Sequence, residues 1–242
     1  YDWNGSRIKE HRQEIRELMG FRKGTLADQS ELSDWLLNEI IPGEHRSIYL
    51  SELVYSRLKK HHIEPPSRGR VNRLITSALY RYEKRLFAHT FEHLSPETKA
   101  RLRNLIKNTG KLDDDLSVDV EEILDYPIHE LKVGAGEAKV KNIKRVCTRL
   151  MQLQDIGLPE DLFKDIPLRF LRQYHQQVSV ESPSHLRRRL KKPKRKAQAF
   201  TILAAFCWVR QQEIRDDLAD LFIRVLKDIR IRAKFNEEKR LL

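Results

Sequence analysis

Thirteen consecutive residues carry the strongest chemical signal in this sequence. They are Ser184, His185, Leu186, Arg187, Arg188, Arg189, Leu190, Lys191, Lys192, Pro193, Lys194, Arg195 and Lys196. Eight of the thirteen are basic and none is acidic. Such a run binds phosphates, and each contact releases a condensed counterion. The run abuts an apolar stretch, so it is expected to be held in place and to contact nucleic acid. The bland alternative is a solvated loop or a localisation-type run.

A second group lies upstream, where Ser67 is followed by Arg68, Arg70, Asn72 and Arg73. Arginine can reach guanine O6 and N7 with two hydrogen bonds, and asparagine can pair with adenine in the same way. These residues sit after the turn His61-His62-Ile63-Glu64-Pro65-Pro66, at the start of a long helical pattern. Two helices joined by a tight turn, the second exposing arginine near its N-terminus, is how a helix-turn-helix presents its recognition helix. An ordinary helical bundle with a solvated arginine face would use the same residues.

Other chemistry finds little support. His89 and His93 are four residues apart with Glu92 between them, which is not the H-E-x-x-H order of a zinc helix. Asp113, Asp114 and Asp115 lack the spaced ligands and the glycine of a calcium loop. There is no Gly-rich phosphate loop and no nucleophile elbow, and neither Cys147 nor Cys207 has a zinc-like companion. No catalytic residue, metal or cofactor is therefore expected. Two cysteines cannot build a disulfide framework, which points to a reducing compartment.

The elements that must position these cations read as helices. Nine glycines and nine prolines in 242 residues are fewer than the ~7 % and ~5 % that are usual. A chain so poor in turn residues is not an all-β sandwich or barrel. At 40 % apolar the sequence can bury a core. Its longest apolar stretch, residues 197–209, is 13 residues long and includes Gln198 and Thr201. A spanning helix needs about 20, so no membrane partner is expected.

The net charge of +12 is unevenly placed. It is −2 over residues 1–50, +8 over 51–110, −7 over 111–130, +4 over 131–180 and +9 over 181–242. Localised positive charge is the footprint of a polyanion partner.

Periodicity then sets the elements. Ser6 opens a helix with Ile8, Ile15, Leu18 and Met19 inward, and Gly20 stops it. Asp28 or Ser30 opens a second with Leu32, Trp35, Leu36 and Ile40 inward, ended by Pro42-Gly43. Ser47 opens a third with Leu50, Leu53, Val54 and Leu58 inward. Ser67 caps a long fourth with Val71, Leu74, Ile75, Ala78, Tyr82 and Leu86 inward. Ser95-Pro96 starts a fifth that runs to about Asn108.

A second lobe begins near Lys139 with Val140, Ile143, Val146, Cys147 and Leu150 inward. Short helices follow at about 160–164 and 168–178. Residues 199–209 are apolar all round and read as the central helix of this lobe. A last helix places Ile214, Leu218, Leu221, Phe222, Val225 and Ile229 on one side. The expected architecture is all-α, with two helical lobes and helix-turn-helix-like elements: residues 1–110, an acidic irregular linker 111–136 containing a short helix at 118–124, and residues 137–242. The chain starts at Tyr1 and its helical pattern runs on through Arg240, so a piece of something longer is expected.

Several strings resemble the N-terminal region of replicative transposases of the Tn-three family. They are His11, Glu14-Ile15 and Gly20-Phe21-Arg22, then Ile63-Glu64-Pro65-Pro66-Ser67 with Arg73-Leu74-Ile75 and Ala78. Gly157-Leu158-Pro159-Glu160-Asp161-Leu162-Phe163, Glu181-Ser182-Pro183-Ser184-His185-Leu186-Arg187-Arg188 and Leu203-Ala204-Ala205-Phe206 continue the series in the same order. Residues 110–140 depart from the family pattern, and residues 189–196 are more basic than its usual stretch.

The resemblance implies a cytoplasmic, nucleoid-associated bacterial protein that binds the terminal inverted repeats of a transposon. In the family a magnesium-dependent acidic triad on an RNase-H-like fold cuts and joins DNA. It lies C-terminal to the matching region, so this chain is expected to lack it. The implied partners are double-stranded DNA at transposon ends, the remainder of the transposase and a second copy. The rival readings are a helical protein–protein or dimerisation module, an RNA-binding protein and a self-contained nuclease.

Overall fold

The computed structural model describes residues 5–107 and 127–241. Among them the fold is all-α, as the composition and periodicity require. The chain divides into two compact units, Tyr1–Arg85 and Leu86–Leu242. Asp113, Asp114 and Asp115, the short helix expected at 118–124 and most of the expected acidic linker lie outside the described residues.

In the first unit, α1 (Gly5–Met19) ends at Gly20, whose φ of 69° only glycine adopts at little cost. α2 (Leu26–Trp35) opens on Thr25 rather than on Asp28 or Ser30. The Thr25 hydroxyl accepts from the Asp28 N–H, and the Asp28 carboxylate accepts from the Thr25 N–H at 2.8 Å. This reciprocal box satisfies two otherwise orphaned groups. Arg22 locks Asp28 in place through two hydrogen bonds of 2.7 and 2.6 Å. A π-helical turn, Leu36–Ile40, carries the chain to Pro42-Gly43.

α3 (Ser47–Lys60) and α4 (Arg68–His93) pack on α2 around Leu32, Leu36, Ile41, Leu50, Val54, Leu58, Val71, Ile75 and Ala78. Leu53 does not join them and is 39 % exposed. The stripe of α3 runs 50–54–58, and position 53 lies about 100° away from its centre. The turn between α3 and α4 is pinned to the strand-like Arg22: its N–H donates to the His62 carbonyl, and its own carbonyl accepts from the Glu64 N–H, both at 2.8 Å. His62 adopts a positive φ of 52° there, a conformation in which His is enriched among non-glycine residues.

α1 corrects a second expectation. Ile8, Ile15, Leu18 and Met19 are exposed, Leu18 at 87 %. From residue 7 to 19 only Arg16 is partly covered. Arg16 donates to Glu64 at 2.8 Å, and Arg12 donates to the same carboxylate through both Nε and Nη2. The helix is therefore attached through its arginines and not through its apolar stripe.

The second unit is built around α10 (Pro193–Leu241), 49 residues long. It joins the central and last helices expected separately, because no glycine or proline follows Pro193 to break it. Residues 199–207 are buried on every face. α5 (Pro96–Asn104), α7 (Val140–Asp155), α8 (Leu168–Val180) and α9 (Pro183–Lys191) pack against this stretch. Ser95 caps α5 by accepting from the Thr98 N–H at 3.0 Å, and the helix stops four residues before Asn108. Residues 160–165 form turns rather than a short helix, with Leu162 and Phe163 buried. Val140, expected inward, is exposed at the start of α7.

Among the described side chains of α10, Leu221 is the last that is buried. Phe222 and Ile229, expected inward, are exposed together with Ile223, Leu226 and Ile231. The periodicity continued past the point where the rest of this unit could cover it.

Two buried arginines were not anticipated. Arg149, 2 % exposed, donates to the carbonyls of Val133 and Gly134 at 3.0 and 3.1 Å. Arg210 donates to those of Leu131 and Val133 at 2.7 and 2.8 Å. Both therefore cap the C-terminal end of α6 (Pro127–Lys132), where unpaired carbonyls favour cations. Glu130 and Glu213 supply the countercharges.

Candidate nucleic-acid interface

In the first unit, buried Val71, Ile75 and Ala78 turn the opposite face of α4 to solvent. Ser67 precedes the helix, and its carbonyl accepts from the Arg70 and Val71 N–H groups. Arg68, Arg70, Asn72 and Arg73 are all exposed in the first turns of α4. Arg68 and Arg70 form no ion pair with a described residue. Among the described residues, Arg73 makes only a local 3.3 Å bond from Nε to the Gly69 carbonyl. The α3–turn–α4 geometry thus delivers these four side chains to solvent from one rigid helix start.

The second unit arranges the run 184–196 on two helices and the corner between them. Ser182 occupies the N-cap of α9 and Pro183 its first position, so Ser184 lies in the first turn. Buried Pro183 and Leu186 anchor α9. Arg187, Arg188, Lys191, Lys192, Lys194 and Arg195 are exposed and form no ion pair with a described residue.

Three members of the run are engaged elsewhere. Arg189 points back to Glu181 at 3.2 Å and is only 24 % exposed. His185 lies 3.8 Å from the same carboxylate. Lys196 is half-buried, with its Nζ 5.8 Å from the centroid of the Phe91 ring.

The Phe91 contact shows what the linear sequence hid. Lys99 of α5 lies over the same ring at 4.3 Å, and Arg103 lies over Phe200 at 5.6 Å. Cations over aromatic faces are held without losing their charge. The basic surface of the second unit is therefore composite, since α5 adds cations more than eighty residues away in sequence. No local pattern marks Lys99 or Arg103 as members; only the packing of α5 on α10 does.

The two histidines weighed as metal ligands lie against each other. The rings of His89 and His93 stack at 3.9 Å, and His93 Nδ1 lies 2.8 Å from the His89 carbonyl. Burial drives the Cys207 thiol far above its usual range, so it is not a thiolate at neutral pH. Burial also lowers the pKa of His175, whose ring stacks on Phe206 at 5.1 Å with Nε2 3.5 Å from Glu213. Among the described residues, no three His, Cys, Asp or Glu side chains are placed to share a metal ion. No described helix is long and apolar enough to cross a membrane.

Residues 1–78 match a family described as a domain of unknown function (DUF4158). The match takes in α1 to α3, the turn and the start of α4 that bears Arg68, Arg70, Asn72 and Arg73. No curated protein matches the chain.

Proposed function

We propose that this chain is the non-catalytic, DNA-binding N-terminal part of a replicative transposase, and that it binds the terminal inverted repeats of its transposon. The observation that carries the reading is the pair of exposed cation groups that form no ion pair with a described residue, one on the first turns of α4 and one on the α9–α10 corner. Phosphate contacts from both units supply affinity, and Arg68, Arg70, Asn72 and Arg73 supply part of the base readout. The resemblance to the Tn-three family names the DNA. It also makes the remainder of the transposase the covalent partner and the bacterial cytoplasm the location. The cutting and joining chemistry, with its magnesium, belongs to the C-terminal part of such proteins, so this chain binds without cleaving and needs no cofactor.

The test is binding to duplexes carrying the transposon's own end and to scrambled duplexes, at several salt concentrations. If about 6–10 phosphates are contacted, affinity falls roughly 10³–10⁵-fold between about 50 and 200 mM salt. Absence of binding at low salt, or binding indifferent to salt, overturns the reading. Supercoiled plasmid incubated with magnesium should stay intact.

A second reading has one observation in its favour. Phe222, Leu226 and Ile229 form an exposed apolar stripe on the outer part of α10, as a helical protein–protein or dimerisation module would require. Sedimentation of the chain alone separates the two: a stable dimer without DNA binding favours the module.

A further inference from the structure

The first unit contains a groove of about 1290 Å³ that the cation pattern of α4 does not foretell. α1, the segment after it, α2, α3 and α4 all line it, so it belongs to this unit alone. Arg70 and Arg73 stand on its α4 side. α1 brings Lys9, Arg12 and Arg16, and the following segment brings Lys23. The base of the groove includes apolar Leu32, Val54, Leu58 and Val71.

Charge accounting separates the free cations from the committed ones. Three carboxylates line the groove, and each is engaged: Glu10 on α1, Asp28, closed by Arg22 and Thr25, and Glu64, closed by Arg12 and Arg16. Lys9, Lys23 and Arg70 are exposed and form no ion pair with a described residue. Free cations in a cleft with low-dielectric walls focus the field on whatever anion enters.

We propose that this groove seats one sugar–phosphate strand of duplex DNA, with Lys9 and Lys23 as phosphate ligands beside the base-reading start of α4. In this arrangement α1 is a DNA-contacting arm, held to the body by the clasp of Arg12 and Arg16 on Glu64. A duplex strand fits the lining better than a free single strand. Single-strand channels rely on aromatic side chains for base stacking, and no Phe, Tyr or Trp is among the described residues that line this groove. The proposal rests on the DNA-binding reading and adds to it a set of contacts on α1 that the sequence did not suggest.

The experiment compares the unsubstituted chain with Lys9→Ala, Lys23→Ala and the double variant, on end-bearing duplex, scrambled duplex and single strand of equal length. Both lysines are exposed, so unchanged thermal melting confirms that the fold is intact. Each substitution should lower the salt slope by about one unit, and the double variant by about two, on both duplexes alike. Steep salt-dependent duplex binding with a slope and affinity that the double variant leaves unchanged overturns the groove while sparing the DNA reading. Tighter binding to single strand than to duplex overturns the duplex assignment. Failure of the unsubstituted chain to bind any DNA at low salt removes the DNA reading and the groove with it.

Discussion

The two units hold their free cations on different supports. In the first, Arg70 and Arg73 belong to one helix start beside an open groove, over a core shared by three helices and a turn. In the second, Arg187, Arg188, Lys191, Lys192, Lys194 and Arg195 ride on a corner anchored to a helix buried on every face. A helix start beside a groove limits how a duplex can lie and places side chains where base edges can be reached. An outward corner of cations presents charge with little constraint on register. On the proposed DNA-binding reading, the first unit would discriminate and the second would grip.

The largest effect that would sharpen this contrast is on stability. Phe206 is fully buried in α10 and stacks on His175. Phe206→Ala should destabilise the second unit by about 3–5 kcal/mol. Hydrogen exchange followed segment by segment should show protection lost across α7, α8 and α10 and kept around Leu36 and Val54. Equal loss in both units would mean that they fold as one, and the contrast would need to be recast.

Next in size is discrimination. Arg70→Ala should cost about 1–3 kcal/mol on the end-bearing duplex and much less on a scrambled one. Equal losses on the two would remove base reading from α4. A smaller and different effect is expected of Arg188→Ala, which should weaken all duplexes alike and lower the salt slope by about one unit. Arg189→Ala provides the control within the same helix. Its guanidinium is engaged by Glu181, so its salt slope should change less than that of Arg188→Ala. An Arg189→Ala slope change as large as that of Arg188→Ala would show that position in the run, and not freedom from a partner, decides which cations touch phosphate.

Much of the fold was legible because local signals and global packing agreed. Ser95-Pro96, Gly20, and the stripes 50–54–58 and 71–75–78 each name their element without help from the rest of the chain. The start of α2 was misplaced because Asp28 is a good capping residue that here sits at the third helical position and closes a box begun by Thr25.

The inward faces of α1 and of outer α10 were misjudged for a common reason. A period of 3.6 shows that a helix is amphipathic, but coverage depends on what lies opposite. The exposed positions of Arg68 and Arg70 followed from the same periodicity, and Arg188 was marked by the charge of its run. The engagement of Arg189 by Glu181, the cations added by α5 and the buried Arg149 and Arg210 did not, because each depends on contacts made only in the folded chain.

The smallest expected effect concerns the attachment of α1. The hydrogen bond from Arg16, opposed by burial and reinforced by Arg12, holds the Glu64 carboxyl below its ordinary range. A carboxyl with a depressed folded pKa contributes stability that is fully present above its unfolded value of about 4.3. That contribution is lost as pH falls through the lower folded value. The clasp should therefore be complete at neutral pH and open only under acid conditions. Protection factors of α1 amides should fall as pH is lowered from 5 to about 3, while those of α3 around Val54 hold. Glu64→Gln removes the charge but keeps an acceptor oxygen, so at pH 7 it should give α1 its acid-state protection and flatten the pH response. It should also reduce the Lys9 contribution to the salt slope while leaving that of Arg188 untouched, because Arg188 belongs to the other unit. If α1 protection ignores both pH and Glu64→Gln, the clasp is not what holds the arm. The first unit would then discriminate through α4 alone.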